Sequence, residues 1–281
     1  MTDLDVLMVT FDQAEYVRLT LPRLLESCDD GVRVWLWHNG THAETLELSR
    51  SFAEDERVDR FHHSPDNQPL HVPINWLLEN SSARFFSKVD DDCLVTPGWA
   101  RTLIRAHDDV PELGVLGCWR FYDEDFDAQL STPKIASYPG GHRVLRNFWV
   151  QGSSFVMRRE CAARRGPLRA GQSFPQYCTA LGVQDGWVNG WYFPFVREEH
   201  MDDPRSPYTR FRTDADLQAR PPLTARLNGV TTVAGWEAQV RRSARSVQAA
   251  SLDPRDYQGW RIRGRNLRAR ARRLAGTKAH W

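Results

Sequence analysis

Arg84-Phe85-Phe86-Ser87-Lys88-Val89-Asp90-Asp91-Asp92 is the stretch on which the reading of this chain turns. Its first six residues, rich in Phe and Val, spell a short strand that runs straight into three carboxylates. Adjacent acids repel one another and are costly to desolvate unless a cation joins them. Their oxygens suit Mg²⁺ or Mn²⁺, ions that bridge a few carboxylates and a diphosphate. Strand ends are also where open α/β sheets receive ligands. Without that context an acidic triplet is an ordinary solvated turn.

The context is a regular alternation. Upstream, residues 6–10, 32–37 and 58–61 read as strands. Between them Val17, Leu21, Leu24 and Leu25 recur at helical spacing, with Pro22 inside the helix. Asp12 and Glu15 have capping-box spacing, Asn39-Gly40 marks a turn, and Thr41-His42-Ala43-Glu44 caps a second helix. A third helix is expected over 72–79. Downstream, Thr96-Pro97 reads as an N-cap and first helical residue, leading through Trp99, Leu103 and His107 to a strand at 115–119. This βαβα order predicts an α/β fold with a mostly parallel central sheet.

The second half is less regular. Strands are expected at 148–150 and 154–157 around Gly152, a helix at 158–165, a helix over 184–190, and a strand at 192–196 leading to His200. Residues 201–235 are rich in Pro, Arg and Asp and read as loop. The expected division is a body over 1–235, with a nucleotide-binding half at 1–120 and an acceptor half at 121–235, followed by a basic helical tail over 236–281.

Composition narrows the class. The chain has 281 residues, 41% hydrophobic and 26% charged, enough to bury a core without staples. Disordered, collagen-like and coiled-coil chains are excluded. No apolar run approaches the length of a membrane span, and the acidic start Met1-Thr2-Asp3-Leu4-Asp5 is unlike a signal peptide, so a cytoplasmic setting is expected. Five scattered cysteines without a CxxC pair speak against disulfides and a thiolate zinc site. Net charge is +1, yet residues 241–281 hold twelve Lys or Arg against two Asp. That segment therefore carries +10 and the rest of the chain −9. Such a tail has three readings: a solvated charge run, a contact with an anionic membrane surface that would make the protein peripheral, or nucleic-acid binding. The negative body opposes the last.

Two further residues bear on chemistry. Asp185, after Gln184 at an expected helix start, has the placement of an N-cap and of a base for an incoming hydroxyl. His200, in Arg197-Glu198-Glu199-His200, offers an imidazole to a Mn²⁺ shell. Arg205, Tyr208, Arg210 and Arg212 read equally as a flap over a diphosphate or as a solvated loop. Of the eleven tryptophans, Trp149, Trp187 and Trp191 suit sugar surfaces or the core.

Taken in order, the pieces resemble a nucleotide-sugar glycosyltransferase of family-two kind with the A-type (GT-A) fold. The matching stretches are Val6-Leu7-Met8-Val9-Thr10-Phe11-Asp12, Val34-Trp35-Leu36-Trp37-His38-Asn39-Gly40-Thr41, Phe85 to Asp92, Gln151-Gly152-Ser153-Ser154-Phe155-Val156-Met157-Arg158-Arg159, and Val183-Gln184-Asp185. The resemblance covers residues 5–200 and implies a Rossmann-like three-layer α/β/α sandwich. It implies that Asp90, with Asp91, meets the donor's ribose and Asp92 the metal, Mn²⁺ or Mg²⁺. Thr10, Asp12, His38 and Asn39 would hold the nucleotide, and Gly152 would lie beside the acceptor. Asp185 would be the catalytic base and His200 a late metal or diphosphate ligand. The implied reaction is transfer of a sugar from a nucleotide-diphosphate donor to an acceptor hydroxyl, with inversion. The acceptor (a glycan, a lipid-linked group or a small molecule) is left open. Two positions depart from the family pattern: His38 stands where an acid is frequent, and Gln184 where Glu is usual.

The alternatives are weaker. A nucleotidyltransferase needs a Gly-rich phosphate loop after its first strand, and residues 10–16 contain no glycine. A phosphatase wants Thr or Val where Leu94 follows the acids. A non-catalytic sugar- or nucleic-acid-binding relic would be expected to have lost Asp92 or Asp185.

Overall fold

The computed structural model describes residues 2–259. In chain order its elements are β1 (Leu4–Thr10), α1 (Ala14–Glu26), β2 (Val32–Asn39), α2 (Ala43–Phe52), β3 (Val58–Ser64), α3 (His71–Asn80), β4 (Phe85–Asp90), β5 (Cys93–Val95), α4 (Trp99–Asp109) and β6 (Leu113–Gly117). There follow α5 (Ala128–Ser131), β7 (Ile135–Ser137), β8 (Arg143–Asn147), β9 (Phe155–Arg158), α6 (Arg159–Arg165), α7 (Phe174–Gln184), β10 (Val188–Phe193), β11 (Glu198–His200), α8 (Asp214–Ala219), α9 (Leu223–Leu227) and α10 (Val233–Ala249).

Nine strands form one sheet in the order β3-β2-β1-β4-β9-β6-β10-β8-β7. Strands β1 to β4 are mutually parallel, as are β6 and β10, and β9 and β8 run against their neighbours. Every residue of β1 is buried, as a strand covered on both faces must be. Its side chains alternate between two cores. Leu4, Val6 and Met8 join Val17, Leu21 and Leu24 of α1 and Trp99 and Leu103 of α4. Leu7 and Val9 face Ile74 and Leu77 of α3, Tyr177 and Leu181 of α7, and Trp236 and Val240 of α10. The result is the three-layer α/β/α sandwich.

Local expectations shift where tertiary packing overrides them. α1 has no side-chain cap, because Asp12 sits at φ 45° and Gln13 occupies the cap position. His42, not Thr41, caps α2, accepting the Thr45 N–H. α4 begins after Gly98, which at φ 74° turns the chain in a way Thr96 does not. The strand expected at 148–150 lies instead at β8, whose flanking Arg143 and Arg146 hid its apolar pair Val144-Leu145. The helix expected over 184–190 is α7, which ends there: Ser173 and Gln176 form its capping box, and Gly186 at φ 80° turns the chain toward β10. Asp185 is therefore the C-cap of α7, not an N-cap. Residues 201–235 hold α8 and α9, the former opened by a Thr213–Asp216 capping box. The expected division at 235/236 runs through α10, whose Trp236, Val240, Ala244 and Val247 are core residues. The tail beyond residue 259 lies outside the described residues. Among the described residues no helix is long and apolar enough to cross a membrane.

Candidate active site

The acidic run leaves β4 at the strand-end edge of the sheet and turns into β5. β5 pairs antiparallel with β11 in a separate two-stranded sheet, with His200 opposite Cys93. The Met201 N–H donates to the Asp92 carbonyl at 2.8 Å. This pairing brings together residues more than a hundred positions apart: His200 Nε2 lies 3.7 Å from Asp92 Oδ2. The Cys93 thiol donates to Asp92 Oδ1 at 3.3 Å. One ligand atom from each of Asp92, Cys93 and His200 falls within 4.8 Å of the other two.

Two buried carboxylates border this group. Neither oxygen of Glu198 has a hydrogen-bond partner, nor does Oδ1 of Asp202. Burial pushes both acids above the usual carboxylate range, most clearly Asp202, where Asp92 adds repulsion while His200 and Arg210 oppose it. Burial and the neighbouring carboxylates likewise raise the Cys93 thiol. Orphaned buried oxygens around an Asp–Cys–His group are a donor set that a divalent cation satisfies, so the residues present fit the ion implied by the acidic run.

The other two acids of the run do different work. Asp90 is partly exposed and ion-paired with the buried Lys88 ammonium, while its N–H donates to Ser153 Oγ at 3.0 Å. Asp91 is buried: its carboxylate accepts the Phe11 N–H at 2.9 Å and so fixes the loop after β1. Burial, then repulsion from Asp92, raises Asp91 well above an ordinary carboxylate. Gly152, next to Ser153, faces the start of α7, where an added Cβ would come 3.6 Å from the Phe174 Cβ.

Thr10, His38 and Asn39 lie beneath the surface at the ends of β1 and β2. Thr10 Oγ1 is 2.9 Å from His38 Nδ1 and 3.0 Å from Ser49 Oγ. Burial and the nearby His63, His42 and Arg50 push the His38 pKa down to about 4, so the ring is neutral. Asn39 accepts from the Trp37 indole at 2.8 Å and donates to the Gln68 carbonyl at 3.0 Å, pinning the segment before α3. Asp12 is half-exposed, 3.3 Å from His42 Nε2 and 3.6 Å from Arg220 Nη2.

Asp185 is not brought to this cluster. It precedes β10, whose first residue pairs with Leu113 at the start of β6, whereas the acidic run follows the end of β4. The two edges are separated by the length of a strand, roughly 20 Å. Asp185 is gripped there by Arg165, Nε to Oδ2 at 2.5 Å and Nη2 to Oδ1 at 2.8 Å, which holds its carboxyl below the ordinary range.

The segment read as a flap is divided in role. Arg205 is locked between Asp125 and Asp203 at 2.8 and 2.7 Å and lies over the Tyr122 ring. Arg212 donates to the Pro207 carbonyl. Arg210 lies nearest the acidic group, 3.9 Å from Asp202, over the rings of Tyr16 and Phe211. Sequence reasoning passed over Lys88, Cys93, Glu198 and Asp202. The alternation of Glu198 with His200 on one short strand was the available signal for Glu198.

The sheet order, with the acidic run at a strand end and a second small sheet carrying His200, defines an α/β protein of the GT-A type. A family model described as glycosyl transferase family 2 matches residues 5–171, and the chain belongs to that family. No curated protein sequence matches it significantly. Among solved structures it is similar to a mannosyltransferase, PcManGT, from Pyrobaculum calidifontis, in complex with GDP-Man and Mn²⁺. That match has 15% identity and a TM-score of 0.59, covering 99% of this chain and 84% of that one. It is also similar to S. aureus TarS, residues 1–349, in complex with UDP, at 12% identity and a TM-score of 0.50, covering 68% of this chain and 57% of that one.

Proposed function

We propose that this chain is a divalent-cation-dependent glycosyltransferase that moves a hexosyl group from a nucleoside-diphosphate donor to an acceptor hydroxyl, with inversion. The observation that carries the reading is the β5–β11 pairing, which sets His200 against Asp92 at the strand-end edge. Asp92 and His200 would hold Mn²⁺ or Mg²⁺. When bound, the ion supplies Lewis-acid neutralisation of the charge that grows on the departing diphosphate. Asp90, partly exposed and steadied by Lys88 and Ser153, would accept from a donor hydroxyl. The Thr10–Asp12 loop and the His38–Asn39 strand end frame the nucleotide side, and Gly152 leaves room on the acceptor side. In a single displacement the acceptor oxygen bonds the anomeric carbon as the bond to the diphosphate breaks, the diphosphate leaves with that electron pair, and the hydroxyl proton passes to solvent, so the anomeric centre inverts. GDP-Man in the first structural neighbour and UDP in the second support a nucleotide donor without choosing the base or the sugar.

A cytoplasmic setting remains the proposal. Within the described part of the tail, Arg241 pairs with Glu124 and Glu237, Arg245 with Asp127 and Arg255 with Asp253, which favours the solvated reading there. A membrane contact would have to draw on Arg261 to Lys278, outside the described residues.

The test is calorimetric. UDP and GDP are titrated into the protein with and without Mn²⁺. The wild type is expected to bind one nucleotide with Mn²⁺, and Asp92→Ala is expected to lose that metal-dependent binding. Equal binding by Asp92→Ala would overturn the assignment.

A further inference from the structure

The cation group is not made of oxygen and imidazole alone. His200 and Cys93 face each other across β5 and β11, and the hydrogen-bonded neighbour pair is Met201 with Asp92. Cys93 and His200 therefore form a non-hydrogen-bonded pair, the position where opposed side chains come closest. Donors bound to one ion at about 2.0–2.3 Å lie roughly 3.6 Å apart in tetrahedral geometry. The Asp92–His200 distance of 3.7 Å and the Asp92–Cys93 distance of 3.3 Å match that span. A second observation points the same way. Glu198, 3% exposed and with neither oxygen hydrogen-bonded, lies two residues from His200 and so on the same face of β11. Burying a carboxylate beside the Asp–Cys–His group is costly, and a cation held by that group offsets the cost.

Resting on the cation reading above, we propose that Cys93 is a third protein ligand of the metal site. The site then takes ions with affinity for sulfur (Co²⁺, Zn²⁺, Cd²⁺) in preference to Mg²⁺, because thiolate sulfur is a soft donor and Mg²⁺ binds hard oxygen. Coordination displaces the thiol proton to solvent.

The experiment titrates the full chain with Co²⁺, followed by absorption, and with Cd²⁺, followed by calorimetry, no nucleotide being present. The wild type is expected to show cobalt d–d bands together with a near-ultraviolet sulfur-to-cobalt charge-transfer band. Cys93→Ser is expected to keep the d–d bands, lose the charge-transfer band and bind Cd²⁺ at least about tenfold more weakly. Cys118→Ser, which removes a buried thiol outside the group, is expected to behave as the wild type and shows that losing any core thiol is not enough. Cobalt bound without a sulfur band, or a band that survives in Cys93→Ser, overturns the Cys93 assignment while leaving the Asp92–His200 site standing. Absence of any bound cobalt overturns both.

Discussion

Asp91 is the middle acid of three, and the one turned inward. It accepts the Phe11 N–H and, at 3.5 Å, the Gln13 amide, so the loop after β1 is tied to the acidic run itself. Asp185 is an anchor of another kind. The sequence expectation makes it the base, yet its carboxylate is spent on Arg165 at the opposite edge of the sheet. Asp185→Asn is expected to retain transfer and metal-dependent nucleotide binding. It is expected to lower unfolding free energy by about 1–3 kcal/mol, the cost of weakening a charged, part-buried bond. Steady-state transfer assays and urea denaturation separate these effects. Complete loss of transfer with unchanged stability would restore the base assignment.

At the scale of the element, the ends of β1 and β2 depend on a neutral imidazole. His38 is fully buried, and its pKa falls from 6.5 to about 4. The unfolded chain therefore binds the proton more readily than the folded one. The stability held by the neutral ring is complete above pH 6.5 and is lost as pH falls from 6.5 toward 4. The difference amounts to up to about 3 kcal/mol. His38→Gln removes the titration, so its unfolding free energy is expected to fall less steeply than that of the wild type across this window, as read from denaturation midpoints at pH 7, 5.5 and 4.5. Parallel slopes would refute the claim.

Across the whole molecule, the segment after β11 is clamped by one guanidinium. Arg205 neutralises Asp125 and Asp203, whose side chains are each 2% exposed, and Arg241 of α10 joins the same acids through Asp125 and Glu124. This network ties residues 121–127, 201–206 and α10 together. Arg205→Ala leaves two buried carboxylates without their main partner, a change worth about 3–5 kcal/mol. Thermal unfolding is expected to drop by several degrees, and Arg205→Lys is expected to recover only part because it lacks the bidentate fork. A melting curve unchanged in Arg205→Ala would show that the clamp is dispensable.

The strands and helices of residues 4–117 were for the most part legible in the chain's local pattern. Those strands announced themselves because a doubly covered parallel strand must be continuously apolar, and the acidic run was visible because no buried strand end tolerates it without a reason. Hydrophobic period and turn chemistry are local, and they sufficed for β1 to β4, for β6 and for the triplet, but not for the three-residue β5. How Asp92, Cys93, Glu198 and His200 meet lay beyond any local pattern, since it rests on register between two three-residue strands a hundred positions apart. Tertiary structure also decided which edge of the sheet Asp185 occupies, because the polarity of α7 depends on where a Ser173 cap, rather than an aspartate, begins the helix. Local pattern carries no information about such long-range pairing, and chemistry at a site is set by that pairing.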